Sequence, residues 1–281
     1  MLSQIVCILQ ELHYFHMRYT QCIRGPARMT ELNTIFITGA SSGIGAALAE
    51  SYAGFGKNLF LAGRNNDRLN NIATKCEKLG AVVHKINLDV KDPSLCMQAI
   101  KEANMTSPLD LVIANAGISG GTGSSGETDD QVREIMDINI HGVLNTVLPA
   151  IEIMKTNGRG QIAIMSSLAS FKGLPSAPAY CASKAAVRTW GEGLRGELKK
   201  DNIKITVITP GFVKSGITAA NNFPMPFLME GHKAAEIIKK GLSKNKARIS
   251  FPKPMYIAVL LFSALPLYLS EFISEKLPKK N

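Results

Sequence analysis

The sequence predicts an α/β fold, in which a doubly wound parallel sheet forms the middle of three layers in a single domain. From Asn33 onward, short apolar or β-branched runs alternate with amphipathic helical stretches, the order that produces a parallel sheet. The first apolar run leads directly into a glycine-rich turn. Polar or small residues follow several later runs, at the edge where such sheets bind ligands.

The predicted elements follow one another along the chain in regular alternation. Residues 34–38 are an apolar, β-branched run of the kind found in buried parallel strands. We predict strands at residues 34–38, 58–63, 81–88, 109–114, 161–166, 204–208 and 248–251. We predict helices at residues 46–55, 67–79, 94–103, 129–154, 179–199 and 233–244.

Composition and charge limit the class of protein. Of the 281 residues, 46% are hydrophobic and 19% are charged, which suits one large globular domain. The net charge is +10, but the basic residues are scattered and form no stripe interleaved with aromatic residues, so we expect no nucleic-acid partner. An anionic cofactor and an anionic membrane surface are better matches for the excess positive charge.

The cysteines favour a reducing environment. There are 5 of them, widely spaced, with no C-x-x-C pair and no Cys/His cluster at the spacing of a structural zinc site. We therefore expect no metal site and a cytoplasmic location.

Three parts of the chain differ in character. Residues 1–32 form an N-terminal extension, residues 33–253 the main domain with a substrate lid at about 215–232, and residues 254–281 a hydrophobic segment with a basic tail. The extension is too short in its apolar part to span a bilayer and lacks the features of a signal peptide. It reads as a short amphipathic helix, as a disordered tail, or as a non-native addition before a true start at Met29.

The C-terminal segment allows three interpretations. Residues 254–270 carry no charge, but Pro266 interrupts them and they are short for a spanning helix, which needs about 20 residues. Tyr256 and Tyr268 near the ends, with basic residues beyond, fit a helix that lies in the membrane interface. The alternatives are a helix packed on the main domain or on a second subunit, and a true span. Membrane contact here would be on the cytoplasmic face.

The glycine-rich turn is a candidate anion site. It reads G-x-x-x-G-x-G from Gly39 to Gly45, between the first strand and the first helix. Glycines let the backbone approach a pyrophosphate closely, and a helix N-terminus supplies N–H groups and positive dipole. The strand and the helix on either side provide the context that such a motif requires.

The end of the second strand bears on cofactor choice. In dinucleotide sites an acid near this point binds the ribose of NAD, whereas an arginine accommodates the 2′-phosphate of NADP. The strand here ends in Ala62-Gly63-Arg64-Asn65, with no acid, so Arg64 favours NADP(H) over NAD(H). The alternative is a solvated loop arginine. Asp89, Asn115 and Gly117 follow the third and fourth strands and so fall at the same edge.

Tyr180 and Lys184 form a candidate acid/base pair. They lie four residues apart, so on a helix their side chains leave the same face. A nearby ammonium lowers the pKa of a phenol toward the range useful for acid/base work. Ser167, which follows the fifth strand, can hold a substrate oxygen against the phenol. The alternative is an ordinary tyrosine and lysine on a surface helix.

These motifs together resemble the short-chain dehydrogenase/reductase family, in its single-domain Y-x-x-x-K branch, whose fold is Rossmann-type. The matches span about residues 33–215 in the family's order and spacing. They are T-G-A-S-S-G-I-G at residues 38–45, N-A-G at 115–117, Asn139, Ser167, Y-x-A-S-K at 180–184 and P-G at 210–211. One departure is Ser215, where members often carry threonine, and the serine retains the hydroxyl.

The resemblance implies a role for each catalytic residue. Tyr180 is the expected general acid/base, Lys184 lowers its pKa and binds the nicotinamide ribose, Ser167 positions the substrate oxygen, and Asn139 holds a water for proton relay. The expected cofactor-binding residues are Gly39, Ser41, Ser42, Gly43, Ile44, Gly45, Arg64, Asp89, Val90, Asn115, Ala116, Gly117, Tyr180, Lys184, Pro210, Gly211, Val213 and Ser215.

The sequence thus predicts an NADP(H)-dependent oxidoreductase that acts on a carbonyl or secondary alcohol of an apolar small molecule. The alternatives are an epimerase or dehydratase on the same scaffold, and a non-catalytic cofactor-sensing protein. By analogy with relatives, we expect a homodimer or homotetramer paired through the long helices after the fourth and fifth strands.

Overall fold

The structure is a computed structural model that describes residues 32–120, 126–219, 221 and 223–274. The predictions about the N-terminal extension, about a start at Met29 and about the basic tail lie outside these residues.

Seven parallel strands form the central sheet, in the order β3-β2-β1-β4-β5-β6-β7. The strands are β1 Thr34–Thr38, β2 Asn58–Gly63, β3 Val82–Asn87, β4 Leu111–Ala114, β5 Gly160–Met165, β6 Ile203–Pro210 and β7 Arg248–Phe251. The helices are α1 Gly43–Tyr52, α2 Asn66–Lys78, α3 Pro93–Thr106, α4 Asp129–Met136, α5 Gly142–Asn157, α6 Pro178–Glu197, α7 Gly216–Ala219, α8 Gly231–Ser243, α9 Lys253–Ser263 and α10 Leu267–Ser274. The predicted doubly wound fold is confirmed.

A hydrophobic core lies on each face of the sheet. Because successive side chains of a strand point to opposite faces, Ile35 and Ile37 pack into one core with Leu48, and Phe36 packs into the other with Val112. All five side chains are fully buried. Burial on both faces explains why the strands read as continuous apolar runs rather than alternating ones.

The sheet gathers the ends of its strands along one edge. The chain winds from β1 outward to β3 and then returns to β4, which pairs with the other side of β1. The crevice that opens at such a reversal of strand order, beyond the carboxyl ends, is where doubly wound sheets bind their ligands. The segments after β1, β2, β4, β5 and β6 all begin at this edge.

The helix predicted over residues 129–154 is not continuous. It divides into α4, a π-helical turn at Asp137–His141, and α5. The main-chain N–H of Gly142 bonds Asp137 O, which inserts one extra residue into the turn that contains Asn139. A methyl group on Gly142 would lie 2.5 Å from Val90 Cγ2, so the close approach at this turn depends on glycine.

The C-terminal segment forms two short helices, not one. Helix α9 ends at Ser263 and α10 begins at Leu267, with Pro266 between them. Proline cannot donate a main-chain hydrogen bond, which separates the two helices. Among the residues that the structure describes, no helix is long and apolar enough to cross a membrane.

Candidate active site

The turn between β1 and α1 forms a backbone cradle. Gly39 and Gly43 adopt φ of 66° and 56°, a left-handed conformation that side chains disfavour. Gly45 is required for space, because a Cβ there would lie 2.3 Å from Gly39 O. Helix α1 begins at Gly43, earlier than the predicted Ala46, with Ser42 as its N-cap and no acidic residue in its first turn. The N–H groups of this helix start are therefore available to an anion.

A second loop braces the cradle. Asn115 Nδ2 donates to Thr38 O at 2.9 Å and to Gly39 O at 3.3 Å. The Thr38 hydroxyl accepts from the main-chain N–H groups of Asn115 at 3.0 Å and Ala116 at 3.1 Å. The ends of β1 and β4 are thus tied together, and the Asn115 amide holds the protein's own turn.

A charged cluster lies at the ends of β2 and β3. Arg64 and Lys91 each approach Asp89 Oδ2, at 4.0 Å and 3.9 Å. The Arg64 side chain is 55% exposed, so its guanidinium can also reach a ligand. The Ser41 hydroxyl lies beside Gly63 at the inner side of the cluster. Val90, by contrast, is buried and packs against Gly142.

Ser167 and Tyr180 meet at the end of β5. Ser167 is the N-cap of a short 3-10 helix at Leu168–Phe171, and its hydroxyl accepts from Ala169 N at 3.1 Å. The same hydroxyl forms a hydrogen bond with the Tyr180 phenol. Tyr180 lies in the first turn of α6, which delivers it to this edge. The two residues predicted to handle the substrate oxygen are therefore in contact.

Lys184 is buried beneath this pair. Its Nζ donates to Met165 O at 3.1 Å and lies 5.9 Å from the centroid of the Tyr180 ring. Burial lowers the pKa of Lys184 to about 8. The Ser166 hydroxyl donates to Lys184 O at 2.8 Å, which holds α6 against the end of β5.

Asn139 connects the π-helical turn to the loop after β4. Its amide accepts from Ile118 N at 2.9 Å and donates to Ile118 O at 2.9 Å and to the Ser183 hydroxyl at 3.0 Å. A Cβ on Gly117 would lie 3.0 Å from both Asn139 Oδ1 and Lys184 Nζ. Asn139 and Lys184 thus border the same small space, although the amide donors of Asn139 are used within the protein.

The ionisation of Tyr180 differs from the expectation. We expected Lys184 to lower the pKa of the phenol, but burial raises this pKa, and the hydrogen bond with Ser167 offsets only part of the increase. The ammonium of Lys184, 5.9 Å from the centroid of the Tyr180 ring, does not offset this increase. In this structure Tyr180 is therefore a protonated phenol at neutral pH, which is the form that can donate.

The chain after β6 closes the other side of the crevice. Pro210 ends the strand, and Gly211 N donates to Phe251 O at 2.8 Å. Val213 is buried and pairs with Met229 across the base of the lid, where Lys214 and Glu230 form an ion pair.

Both ends of the lid rest on α1. Ser215 Cβ lies 3.0 Å from the position that a Cβ on Gly43 would occupy. A Cβ on Gly231, at the start of α8, would lie 3.4 Å from Ala47 Cβ. The lid is therefore in contact with the helix whose start forms the cradle.

Two residues absent from the sequence prediction support the site. Thr38 braces the cradle, and Ser183 accepts from Asn139 and donates to Tyr180 O at 2.8 Å. Both hydroxyls bond neighbouring loops or main chain rather than pointing into the crevice. Only their places inside the T-G-A-S-S-G-I-G and Y-x-A-S-K motifs could have marked them.

The doubly wound sheet and its glycine-rich turn are typical of dinucleotide-binding proteins, and comparison with known proteins gives the family. A family model described as short chain dehydrogenase matches residues 33–224. The chain therefore belongs to the short-chain dehydrogenase/reductase family, as the motifs predicted.

Relatives in the curated proteins carry the same general description. An uncharacterized oxidoreductase of Myxococcus xanthus (strain DK1622) is 39% identical over 234 residues, covering 83% of this chain and 92% of the relative. An uncharacterized oxidoreductase of Staphylococcus aureus (strain USA300) is 36% identical over 214 residues, covering 75% of this chain and 90% of the relative.

Solved structures show the same fold. LigD in its apo form, from Sphingobium sp. strain SYK-6, is 27% identical with a TM-score of 0.73, covering 88% of this chain and 98% of LigD. A short-chain dehydrogenase from Sphingobium yanoikuyae, in complex with NADPH, is 22% identical with a TM-score of 0.73, covering 89% of this chain and 98% of its own.

A nicotinamide dinucleotide fits the residues present. The turn from Gly39 to Gly43 carries only small side chains, and the N–H groups at the start of α1 lie beside it with no acidic residue in the first turn. The exposed Arg64 follows β2 at the same edge of the sheet. Among the described residues, no group of His, Cys, Asp and Glu side chains could hold a metal ion.

Proposed function

We propose that the protein is an NADP(H)-dependent oxidoreductase that transfers hydride between the nicotinamide and the carbonyl or secondary-alcohol carbon of an apolar substrate. The observation that carries this proposal is the contact between Ser167 and Tyr180, above Lys184 and at the same sheet edge as the glycine cradle. When bound, the dinucleotide supplies the hydride chemistry. The side chains supply position and protons.

Each side chain has a role in the reductive direction. The Ser167 hydroxyl donates a hydrogen bond to the substrate carbonyl oxygen and holds it beside Tyr180. Tyr180, protonated at neutral pH, passes its phenolic proton to that oxygen as the carbonyl carbon is reduced. Lys184, beneath the ring, stabilises the phenolate that remains. The Asn139 amide holds the loop after β4 in place beside Lys184, through its two hydrogen bonds with Ile118.

The preference for NADP(H) rests on the charges near β2. Arg64 and Lys91 place two cations around Asp89, and no acid stands at the end of β2 to bind a ribose hydroxyl. A 2′-phosphate could take the place of the Asp89 contact at Arg64. The structural relative bound to NADPH is 22% identical, a level that supports a shared fold but not a shared cofactor.

The decisive experiment is Tyr180→Phe assayed by NADPH oxidation over a series of ketones from small and polar to large and apolar. We expect turnover to fall by at least about a hundredfold, since general acid catalysis contributes roughly that much, while NADPH binding persists. Tyr52→Phe is a matched control, because the Tyr52 hydroxyl is buried without a hydrogen-bond partner and lies at the far end of α1. Undiminished turnover in Tyr180→Phe would overturn the assignment.

The same assay separates the competing functions. An epimerase or dehydratase would convert its substrate with no net change in NADPH, and a cofactor sensor would bind NADPH without turnover. The contact of Ser167 with Tyr180, with Lys184 Nζ 5.9 Å from the ring centroid, favours the oxidoreductase, since a sensor needs none of these residues.

We further propose a homodimer or homotetramer at the cytoplasmic face of a membrane. Helices α5 and α6 follow β4 and β5, and Leu148 on α5 is 51% exposed, which supports pairing through these helices. The uncharged residues 254–270 support the membrane contact.

A further inference from the structure

Helix α10 turns two serines inward, and its exposed side carries apolar side chains together with one charged residue, Glu271. Its buried residues are Ser270 and Ser274. Leu267, Tyr268 and Phe272 on the same helix are 67%, 69% and 60% exposed. A surface helix of a water-soluble protein has the opposite arrangement, with its apolar stripe against the core. The outward side of α10 therefore exposes far more apolar surface than a water-facing helix usually does, with Glu271 as its one charged side chain.

The inward serines need no partner from the rest of the protein. Ser270 Oγ donates to Leu267 O at 2.8 Å, and Ser274 Oγ donates to Glu271 O at 3.0 Å. Each hydroxyl is satisfied by the carbonyl three residues earlier, so its burial leaves no unpaired polar group. The reversed orientation of α10 is thus consistent with a stable structure.

Helix α9 extends the same surface. It has no buried residue, and it carries no charge after its first residue, Lys253. Ile257 and Leu261 are 57% and 68% exposed. We call the exposed side chains of α9 and α10 the C-terminal apolar face. Its main members are Ile257, Leu261, Leu267, Tyr268, Phe272 and Ile273.

The C-terminal apolar face adjoins the substrate side of the site. The ring of Tyr256 lies 5.7 Å from the ring of Phe171, which ends the short helix capped by Ser167. Met255 Sδ lies 2.8 Å from the position that a Cβ on Gly211 would occupy. The start of α9 therefore contacts both the short helix that follows Ser167 and the turn after Pro210.

We propose that the C-terminal apolar face docks on an anionic lipid bilayer, and that the enzyme takes an apolar ketone or aldehyde from that bilayer. The part concerning the substrate rests on the proposed function. The two helices are too short to cross, so they lie in the interface, where Tyr256 and Tyr268 are suited to the headgroup level.

Charge selects the lipid surface over a second copy of the chain. The protein carries a net charge of +10, and the sequence from Lys253 onward contains Lys253, Lys276, Lys279 and Lys280 against two acids, Glu271 and Glu275. Anionic headgroups complement these cations, each of which strengthens membrane attachment. A second copy would carry the same net positive charge and would be repelled rather than attracted by it.

Vesicle sedimentation tests the docking surface with the full chain. The probes are vesicles of phosphatidylcholine alone and of phosphatidylcholine mixed with phosphatidylglycerol. We expect binding to the mixed vesicles, at least about tenfold weaker when Leu261, Leu267 and Phe272 are all changed to Gln. Raising the salt from about 0.1 M to about 1 M should also weaken it, since the Debye length falls from about 10 Å to about 3 Å.

The control variant is Phe55→Gln with Met105→Gln, which replaces side chains 91% and 85% exposed elsewhere on the protein. It should bind mixed vesicles as the unaltered chain does. All substituted residues are exposed, so each variant should keep its affinity for NADPH, which checks that it folds. Equal vesicle binding by the triple variant would overturn the proposal. So would loss of oligomers in that variant with vesicle binding unchanged, because a second copy would then cover the face.

Activity measurements separate the docking surface from the chemistry. For a small water-soluble ketone, the triple variant should keep its kcat/KM, and for a long-chain ketone dissolved in mixed vesicles kcat/KM should fall about tenfold. If neither ketone is reduced but vesicle binding depends on the apolar face, the proposed function fails and the docking surface stands. If ketones are reduced and the protein binds no vesicle, the proposed docking surface fails and the proposed function stands.

Discussion

Single residues decide the chemistry of this site, and Lys184 shows how burial changes the pKa of a side chain. Its ammonium has one main-chain acceptor, Met165 O, and burial lowers its pKa from 10.5 to about 8. The folded protein therefore releases this proton at a lower pH than the unfolded chain does. Between about pH 8 and 10.5 the unfolded state binds more protons, so this group's contribution to stability rises with pH.

The variant Lys184→Met measures that contribution. Because the apolar side chain carries no proton, we expect the unaltered protein to gain stability relative to Lys184→Met as the pH rises from about 7 to about 10. The gain should be about 3 kcal/mol, from urea unfolding at each pH. Burial raises the pKa values of Cys76 and Cys96, so their contributions to stability fall as pH rises. Both proteins contain these cysteines, so the contributions cancel when the two stabilities are compared. A pH-independent difference would show that Lys184 is not buried as a cation.

Arg64 governs cofactor choice in the proposed function. We expect Arg64→Ala to weaken NADPH binding by about tenfold to a hundredfold, the loss of a charge-assisted contact, and to leave NADH binding unchanged. Fluorescence titration with both cofactors measures this. Lys204→Ala is a control, because Lys204 is an exposed cation near the amino end of β6, at the opposite edge of the sheet. Tighter binding of NADH by the unaltered protein would contradict the preference.

The residues that handle protons could be predicted from the sequence, but their hydrogen bonds could not. Tyr180, Lys184 and Ser167 could be found because their spacing and their place after β5 imply a shared edge. The sequence does not show that the Asn139 amide hydrogen-bonds Ile118, nor that burial raises the pKa of the Tyr180 phenol. Both depend on packing between distant parts of the chain.

At the scale of elements, close backbone approach fixes the cradle. A methyl group on Gly45 would lie 2.3 Å from Gly39 O and 2.5 Å from Asn115 Nδ2. We expect Gly45→Ala to displace the turn and to weaken cofactor binding at least about tenfold, by titration.

Gly193→Ala is the matched control for that substitution. Gly193 lies within α6, is exposed, and has nothing within 4 Å of where its Cβ would stand. Alanine there should leave cofactor binding unchanged and raise the free energy of unfolding by about 1 kcal/mol, because glycine disfavours a helix interior. Unaltered cofactor affinity in Gly45→Ala would refute the account of the cradle.

Strands were predictable as elements, whereas the π-helical turn was not. Parallel strands buried on both faces appear as short apolar runs, and β7 falls at the predicted residues 248–251. The apolar pattern over residues 129–154 is the same for one helix and for two joined by a π-helical turn. That turn follows from contacts distant in sequence, those of Gly142 with Val90 and of Asn139 with Ile118.

At the scale of the whole molecule, we expect a homodimer or homotetramer. Leu148 on α5 exposes an apolar side chain on a helix that we propose to pair between subunits. Leu148→Lys would place like charges together there, so we expect light scattering to show a smaller assembly than for the unaltered protein. Leu95→Lys on α3, 47% exposed, should leave the mass unchanged. A monomeric unaltered protein would exclude the pairing.

The contact of the lid with α1 has a consequence for the order of events in a catalytic cycle. Ser215 touches the cradle at Gly43, and Gly231 touches the same helix at Ala47. An anion that binds at the start of α1 and fixes the position of this helix therefore also fixes its two contacts with the ends of the lid. We expect the dinucleotide to enter first and to leave last, with the ketone arriving and the alcohol departing in between.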